Sequence, residues 1–203
     1  MPTLYHSAQS RSIRPRWVLE EIGVPYELVR LNLQAGEQRT PEYLKINPNG
    51  AVPAYVDETI TLFESAAICQ YLADRYSEKR LAPSVGTAAR GYYYQWTQFA
   101  MSTLEPPLLT IFLHTVMKPE AERIPQLVPP AREQLRAALA VLERGLAGRI
   151  FLLGDEFSAA DIMVGSTLAW AQMLGLINAD TPAVAAYMGR LMGRPAFQRA
   201  SAD

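Results

Sequence analysis

Across the first 77 residues, apolar positions switch between short alternating runs and helical spacing. TLYH at residues 3 to 6 predicts a strand. After the polar loop SAQSRS, Ile13, Trp17, Val18 and Ile22 fall on one side of a predicted helix, which Gly23 and Pro25 end. YELVRLNL then alternates with period two and predicts a second strand. A polar stretch leads to the turn signal Asn47-Pro48-Asn49-Gly50. AVPAYV and TITLF follow as a hairpin around Asp57-Glu58, and helical spacing returns from Glu64 to Tyr76 through Ile68, Tyr71 and Leu72. The order β-α-β-loop-β-β-α describes one compact unit over residues 1–77.

Residues 78–88 mix charge, Pro and Gly without periodicity and predict a linker. From residue 89 to 203 the pattern is helical. A long aromatic-rich helix from Thr87 to Met117 is expected to kink or break at Pro106-Pro107, because proline removes a backbone donor. Leu135, Ala138, Leu139, Leu142 and Leu146 form the apolar stripe of a core-facing helix. Ser158 with Asp161 reads as a capping box and Phe157 with Ile162 as its hydrophobic staple, a structural device. Thr181-Pro182 opens a further helix and Arg194-Pro195 closes it.

Composition narrows the function. The 203 residues are 49% hydrophobic with 19 basic and 20 acidic side chains, so nothing marks a nucleic-acid or membrane-surface footprint. Cys69 is the only cysteine, which excludes an intramolecular disulfide, a redox CxxC and a multi-Cys metal site. No apolar leader or run long enough to span a bilayer occurs, so a cytoplasmic location is expected. There is no HExxH, GxGxxG, GK[ST] loop or GxSxG elbow, and the two histidines, His6 and His114, lie far apart in sequence. No metal is expected.

Three features of the front half carry candidate chemistry. Ser10 and Ser12 stand at the start of the first helix, where serine is an ordinary N-cap and where unsatisfied N–H groups also stabilise an anion. Val52-Pro53 interrupts a strand-like run; proline cannot join a ladder, so the polar groups beside it can pair with an extended peptide. By frequency alone that bond would be trans, since only about 5% of X-Pro bonds are cis. Glu64-Ser65 opens a helix and suits the ammonium and carboxylate of an α-amino acid.

In sequence order, SRSIRPRWVLEEIGVPYELVRLNL, NPNGAVPAYVDE and LFESAAICQYLADRY resemble the front domain of soluble glutathione transferases, and FSAADI resembles a motif of their rear domain. The resemblance covers nearly the whole chain. It implies an α/β plus all-α architecture: a thioredoxin-like domain followed by a helical bundle, with a homodimer as the usual assembly. Glutathione would be the co-substrate. Val52 would pair its backbone with the cysteinyl part, Pro53 would be the cis proline, and Glu64 and Ser65 would hold the γ-glutamyl end. A match to the plant phi-type pattern places Gln38 and Arg39 at the glycyl carboxylate, for which a guanidinium is the better anchor.

Ser10 falls where theta-type and phi-type members place their catalytic serine. The beta-type pattern would put a cysteine at Arg11 with Ser12 beside it; arginine cannot form a mixed disulfide, so that chemistry is lost. Ser10 is the first expectation for the hydroxyl and Ser12 the second, with the Arg11 charge as an aid. Ala51 replaces a long polar residue that many members carry before the Val-Pro pair, removing one glycyl contact. The implied activity is attack of a glutathione thiolate on a small hydrophobic electrophile, or reduction of a hydroperoxide. The electrophile is expected between the domains against Tyr94, Phe99, Met101 and Thr103. The rival is a binding or scaffold protein that keeps the fold without the activity.

Overall fold

The computed structural model describes residues 1–177 and 180–202. They form two compact units: Met1–Ala82 with the segment from Gly193 onward, and Pro83–Met192.

The first unit is built on a four-stranded sheet, β1 (Thr3–His6), β2 (Glu27–Arg30), β3 (Ala54–Val56) and β4 (Thr61–Phe63), in the order β2-β1-β3-β4. β1 runs parallel to β2 and antiparallel to β3, and β3 pairs antiparallel with β4. Helix α1 (Ile13–Ile22) joins β1 to β2, and the short α2 (Pro41–Leu44), capped by Thr40, lies in the connection from β2 to β3. Helix α3 (Ser65–Arg75) follows β4. Between them α1 and α3 bury Trp17, Val18, Leu19, Ile22, Ile68 and Leu72. This is the thioredoxin-like arrangement that the resemblance implies.

Three details depart from the apolar pattern. β2 stops at Arg30 instead of reaching Leu33. Asn32 ends it, its Oδ1 accepting the N–H groups of Gln34 at 3.0 Å and Ala35 at 3.1 Å in an Asx turn. On α1, Ile13 is only half-buried, whereas Arg14 and Arg16 are 2% and 5% exposed. Burial of these cations is compatible with folding because each has polar partners, Ser65 for Arg14 and backbone carbonyls for Arg16. The third is the chain's last helix, α9 (Pro195–Ser201), which belongs to the first unit and packs against α1. Phe197 meets Trp17 edge-on at 4.8 Å, and Arg194 grips Glu21 through two hydrogen bonds of 2.6 and 2.8 Å.

The β3–β4 turn is held by Asp57. Its Oδ1 accepts from Thr59 N, Thr59 Oγ1 and Ile60 N, and its Oδ2 from Tyr55 and Tyr71. Burial works to raise the Asp57 pKa, but the hydrogen bonds from Thr59, Tyr55 and Ile60 outweigh it and hold the carboxyl at about 2. A pKa lowered on folding contributes stability above the unfolded value near 3.9, and that stability is lost as pH falls through the folded value. Asp57→Asn should therefore cost about 1–2 kcal/mol at neutral pH. The gap from wild type, measured by urea denaturation, should close between about pH 4 and pH 2.

The second unit is helical: α4 (Ala88–Phe99), α5 (Glu105–Phe112), α6 (Val128–Leu146), α7 (Ala159–Met173) and α8 (Pro182–Met192). The interruption expected near Pro106-Pro107 takes the form of a π-helical turn over Ala100–Leu104, after which the prolines occupy the first turn of α5, where a missing N–H is harmless. A second π-helical turn covers Leu113–Met117. The predicted α6 stripe is buried throughout. Gly145 on the same helix is required by packing: a Cβ there would lie 2.6 Å from the Trp96 ring. The Ser158–Asp161 capping box is present at the start of α7.

Candidate functional site

The register brings the three sequence motifs to one end of the sheet. Tyr5 pairs with Ala54, and Ala54 with Phe63. Just beyond these pairs the chain leaves β1 after His6 into the serine loop, enters β3 from Val52-Pro53, and leaves β4 into Glu64-Ser65. The N-termini of α1 and α3 sit at the same end, joined by a 3.2 Å hydrogen bond from Arg14 to Ser65 Oγ. Two helix N-termini together favour negative charge there.

In the serine loop neither hydroxyl caps α1. Ser12 is fully buried while Ser10 is half-buried and Arg11 exposed. Ser12 Oγ lies 2.7 Å from His6 Nδ1 and 2.7 Å from Ser10 Oγ, and accepts the Ser7 N–H at 3.1 Å. Ser10 Oγ accepts the Ser12 N–H at 3.2 Å and donates to Ser7 O at 2.7 Å. The N-cap reading fails because the hydroxyls turn back to the loop and to the strand behind it.

The Val52-Pro53 bond is cis. Val52 precedes β3, and its N–H and C=O take part in no hydrogen bond among the described residues. The approach to it is fixed by Asn47, which is buried and donates to Ala51 O at 2.7 Å, while Tyr43 donates to the same carbonyl at 2.7 Å. Gly50, at φ 59°, packs so closely that a Cβ would come within 3.2 Å of Gln38 O, which sets Gln38 and Arg39 beside this loop. Gln38 donates to Leu33 O, and its buried Oε1 has no partner; Arg39 is exposed, with no ion pair among the described residues.

Glu64 adopts φ 72°, a conformation that costs a non-glycine residue about 1–3 kcal/mol. That one residue makes the reversal from β4, ending at Phe63, to α3, beginning at Ser65. Its carboxylate is exposed and meets no donor among the described residues, whereas Ser65 is buried under Arg14. Cys69, one turn further, is fully buried, and burial pushes its thiol up to about 12 against the opposing charge of Arg14. It is not a nucleophile at neutral pH.

The four residues expected at an electrophile all lie on α4 or the π-helical turn after it, in the second unit. Tyr94 and Thr103 are exposed, Met101 is half-buried, and Phe99 is half-buried against Trp96 at 5.3 Å. That unit also holds a cavity of about 530 Å³ under α6, whose Arg132, Arg136 and Arg144 are offset by Glu143 and Asp180. Glu143 is already engaged, accepting the first N–H groups of α8 from Ala183 and Val184.

Residues 2–74 match the family described as "Glutathione S-transferase, N-terminal domain", and residues 119–190 match "Glutathione S-transferase, C-terminal domain". The chain belongs to the glutathione S-transferase family. It is 32% identical over 193 residues to glutathione S-transferase 3 of Zea mays, covering 92% of this chain and 86% of that protein. The ternary complex of BphK, a bacterial GST, is similar at a TM-score of 0.87 and 33% identity, with 98% of this chain and 97% of that one covered. The glutathione transferase URE2P6 of Phanerochaete chrysosporium, in complex with oxidized glutathione, gives a TM-score of 0.88 at 32% identity, with 98% and 94% covered.

In this glutathione S-transferase, four residues shape the candidate site without being singled out by the sequence: His6, Arg14, Tyr43 and Asn47. Three leave a readable trace. His6 occupies a core-facing position of an alternating strand, level with Leu4; Asn47 opens an Asn-x-Asn turn; Tyr43 follows Thr40-Pro41, a helix start. Arg14 leaves none, since a basic residue in a first helical turn reads as solvated.

Proposed function

We propose that this family member binds glutathione across the sheet end and holds it as a thiolate through the Ser10 hydroxyl. One observation carries the choice of residue: Ser12 is fully buried and engaged with His6, whereas Ser10 is half-buried and has the hydroxyl of Ser12 and the carbonyl of Ser7 as its hydrogen-bond neighbours. In this reading the unpaired Val52 backbone receives the cysteinyl part, with Pro53 next to it. Glu64 takes the ammonium, Ser65 and the α3 N-terminus take the α-carboxylate, and Arg39 with Gln38 take the glycyl end. Ala51 contributes no contact, so affinity for glutathione is modest.

The mechanism is anion stabilisation. A free thiol with a pKa near 8.5 is only about 3% ionised at neutral pH. Lowering that value by about two units requires roughly 2.7 kcal/mol of preference for the anion. A serine hydrogen bond, two helix N-termini and the Arg11 charge together supply energy of that order. Serine acts as a donor, not as a base. The thiolate then attacks a small hydrophobic electrophile, with Tyr94, Phe99, Met101 and Thr103 offered as its apolar surroundings, or a hydroperoxide. The assembly in this reading is a cytoplasmic homodimer.

Calorimetric titration with glutathione, paired with turnover of a chromogenic aryl halide and of cumene hydroperoxide, tests the proposal. Binding with turnover of either substrate is expected. Binding without turnover would leave the scaffold reading in its place, and absence of both would end the glutathione assignment.

A further inference from the structure

The hydrogen bonds behind Ser10 have a direction that follows from counting donors and lone pairs. Arg16 Nη1 lies 3.3 Å from His6 Nε2, and its Nη2 donates to the carbonyls of Arg199 and Ala202. A guanidinium has only donors, so Nε2 accepts, and the proton of the neutral ring lies on Nδ1. That Nδ1–H points at Ser12 Oγ, 2.7 Å away. Ser12 Oγ accepts a second bond from the Ser7 N–H at 3.1 Å. Both of its lone pairs are then occupied, leaving only its own O–H to give. The shorter of its two acceptors is Ser10 Oγ at 2.7 Å, against Ser7 O at 3.1 Å.

The same count applies to Ser10. Its Oγ accepts the Ser12 O–H and, at 3.2 Å, the Ser12 N–H. Its lone pairs are also filled, and a single O–H remains.

We propose that His6 and Ser12 are positioning residues that make Ser10 an obligate hydrogen-bond donor, so that the site favours a sulfur anion over a neutral S–H. This rests on the reading that Ser10 meets the thiol. A neutral thiol finds no acceptor on Ser10 to donate into and takes the Ser10 O–H only as a weak acceptor; a thiolate takes the same O–H, which swings from Ser7 O to sulfur, as a charge-assisted bond. Discrimination between the two protonation states is a lowering of the thiol pKa. His6 touches neither ligand nor sulfur. It acts by fixing which way Ser12 gives its proton. Burial keeps water from scrambling that order: His6 is 1% exposed and Ser12 is 0% exposed.

The test is the ultraviolet absorbance of bound glutathione thiolate, titrated against pH, in wild type, Ser10→Ala, Ser12→Ala, His6→Leu and His6→Asn. Asparagine sets an amide N–H where the ring carries Nδ1, so it restores the donor that leucine removes. Ser12→Ala and His6→Leu should each raise the bound-thiol pKa by about one unit, a tenfold loss of thiolate well below the pKa. At pH 6, below both bound-thiol values, glutathione affinity should be unchanged within about twofold, and His6→Asn should return most of the thiolate. If Ser10→Ala raises the pKa while Ser12→Ala and His6→Leu do not, the relay is wrong and the role of Ser10 stands. If Ser10→Ala leaves it unchanged, the reading of Ser10 falls and the relay with it. A His6→Asn protein that behaves like His6→Leu overturns the donor argument. Should the leucine variant not fold, Ser12→Ala and His6→Asn decide the matter between them.

Discussion

Ser10→Ala should lower turnover at pH 7 severalfold and by at most about 25-fold, the loss of thiolate if the pKa moved all the way from about 6.5 back to 8.5 without the remaining help of the helix N-termini and Arg11. The size follows from the chemistry assigned to the residue. A hydroxyl that only donates stabilises the anion, and deleting it leaves the thiol in place but protonated. Raising the pH restores the anion without the serine, so the deficit should largely close by about pH 9. A base would behave differently, since its loss is not repaired by ambient hydroxide in this way. Activity measured from pH 6 to pH 9 at saturating glutathione separates the two. A deficit that stays constant across the range would contradict anion stabilisation by Ser10.

The largest effect on stability should come from Asp161→Ala, far from that chemistry. Asp161 is fully buried and accepts from Ser158 N at 2.8 Å, Ser158 Oγ at 2.9 Å, Leu152 N at 2.9 Å and Tyr187 Oη at 2.9 Å. Alanine removes this acceptor from every one of these buried donors, leaving Tyr187 only the backbone carbonyl of residue 161 at 3.5 Å. Each such donor costs about 1–3 kcal/mol, reduced by relaxation around the smaller side chain. A total near 4 kcal/mol is expected, which lowers the Tm of a unit of this size by roughly 10 °C or more. Thermal denaturation measures it directly. Glutathione affinity of the folded fraction should be unaltered, because Asp161 belongs to the second unit and the candidate site to the first.

Asp161 also shows why parts of this fold are legible in the amino-acid order alone. A capping box joins residues three apart, so Ser158 and Asp161 carry their meaning locally, and the α6 stripe and the Asp57 turn are local in the same sense. Arg16 is the opposite case. Its acceptors, the carbonyls of Arg199 and Ala202, come from the far end of the chain, and no periodicity announces that a cation will be buried beneath α9. The same distance hides the placement of α9 in the first unit. At the site, Val52-Pro53 and Glu64-Ser65 stand out as breaks in regular patterns. Ser12 stands out too but reads as a cap, because its true partner, His6, belongs to the preceding strand. Local rules identify which residues are unusual; the register of β1 against β3 determines which of them meet.

The buried Asn47 has a thermodynamic corollary. With Asn47 and Tyr43 both donating to the Ala51 carbonyl, and Gly50 wedged against Gln38, the segment leading to Val52 is preorganised before any ligand arrives. A tripeptide docking along it would order its own torsions but none of the loop's. The entropy of association then falls almost wholly on the ligand, so stiffening the peptide in its extended form should strengthen binding more than adding a contact at the rim.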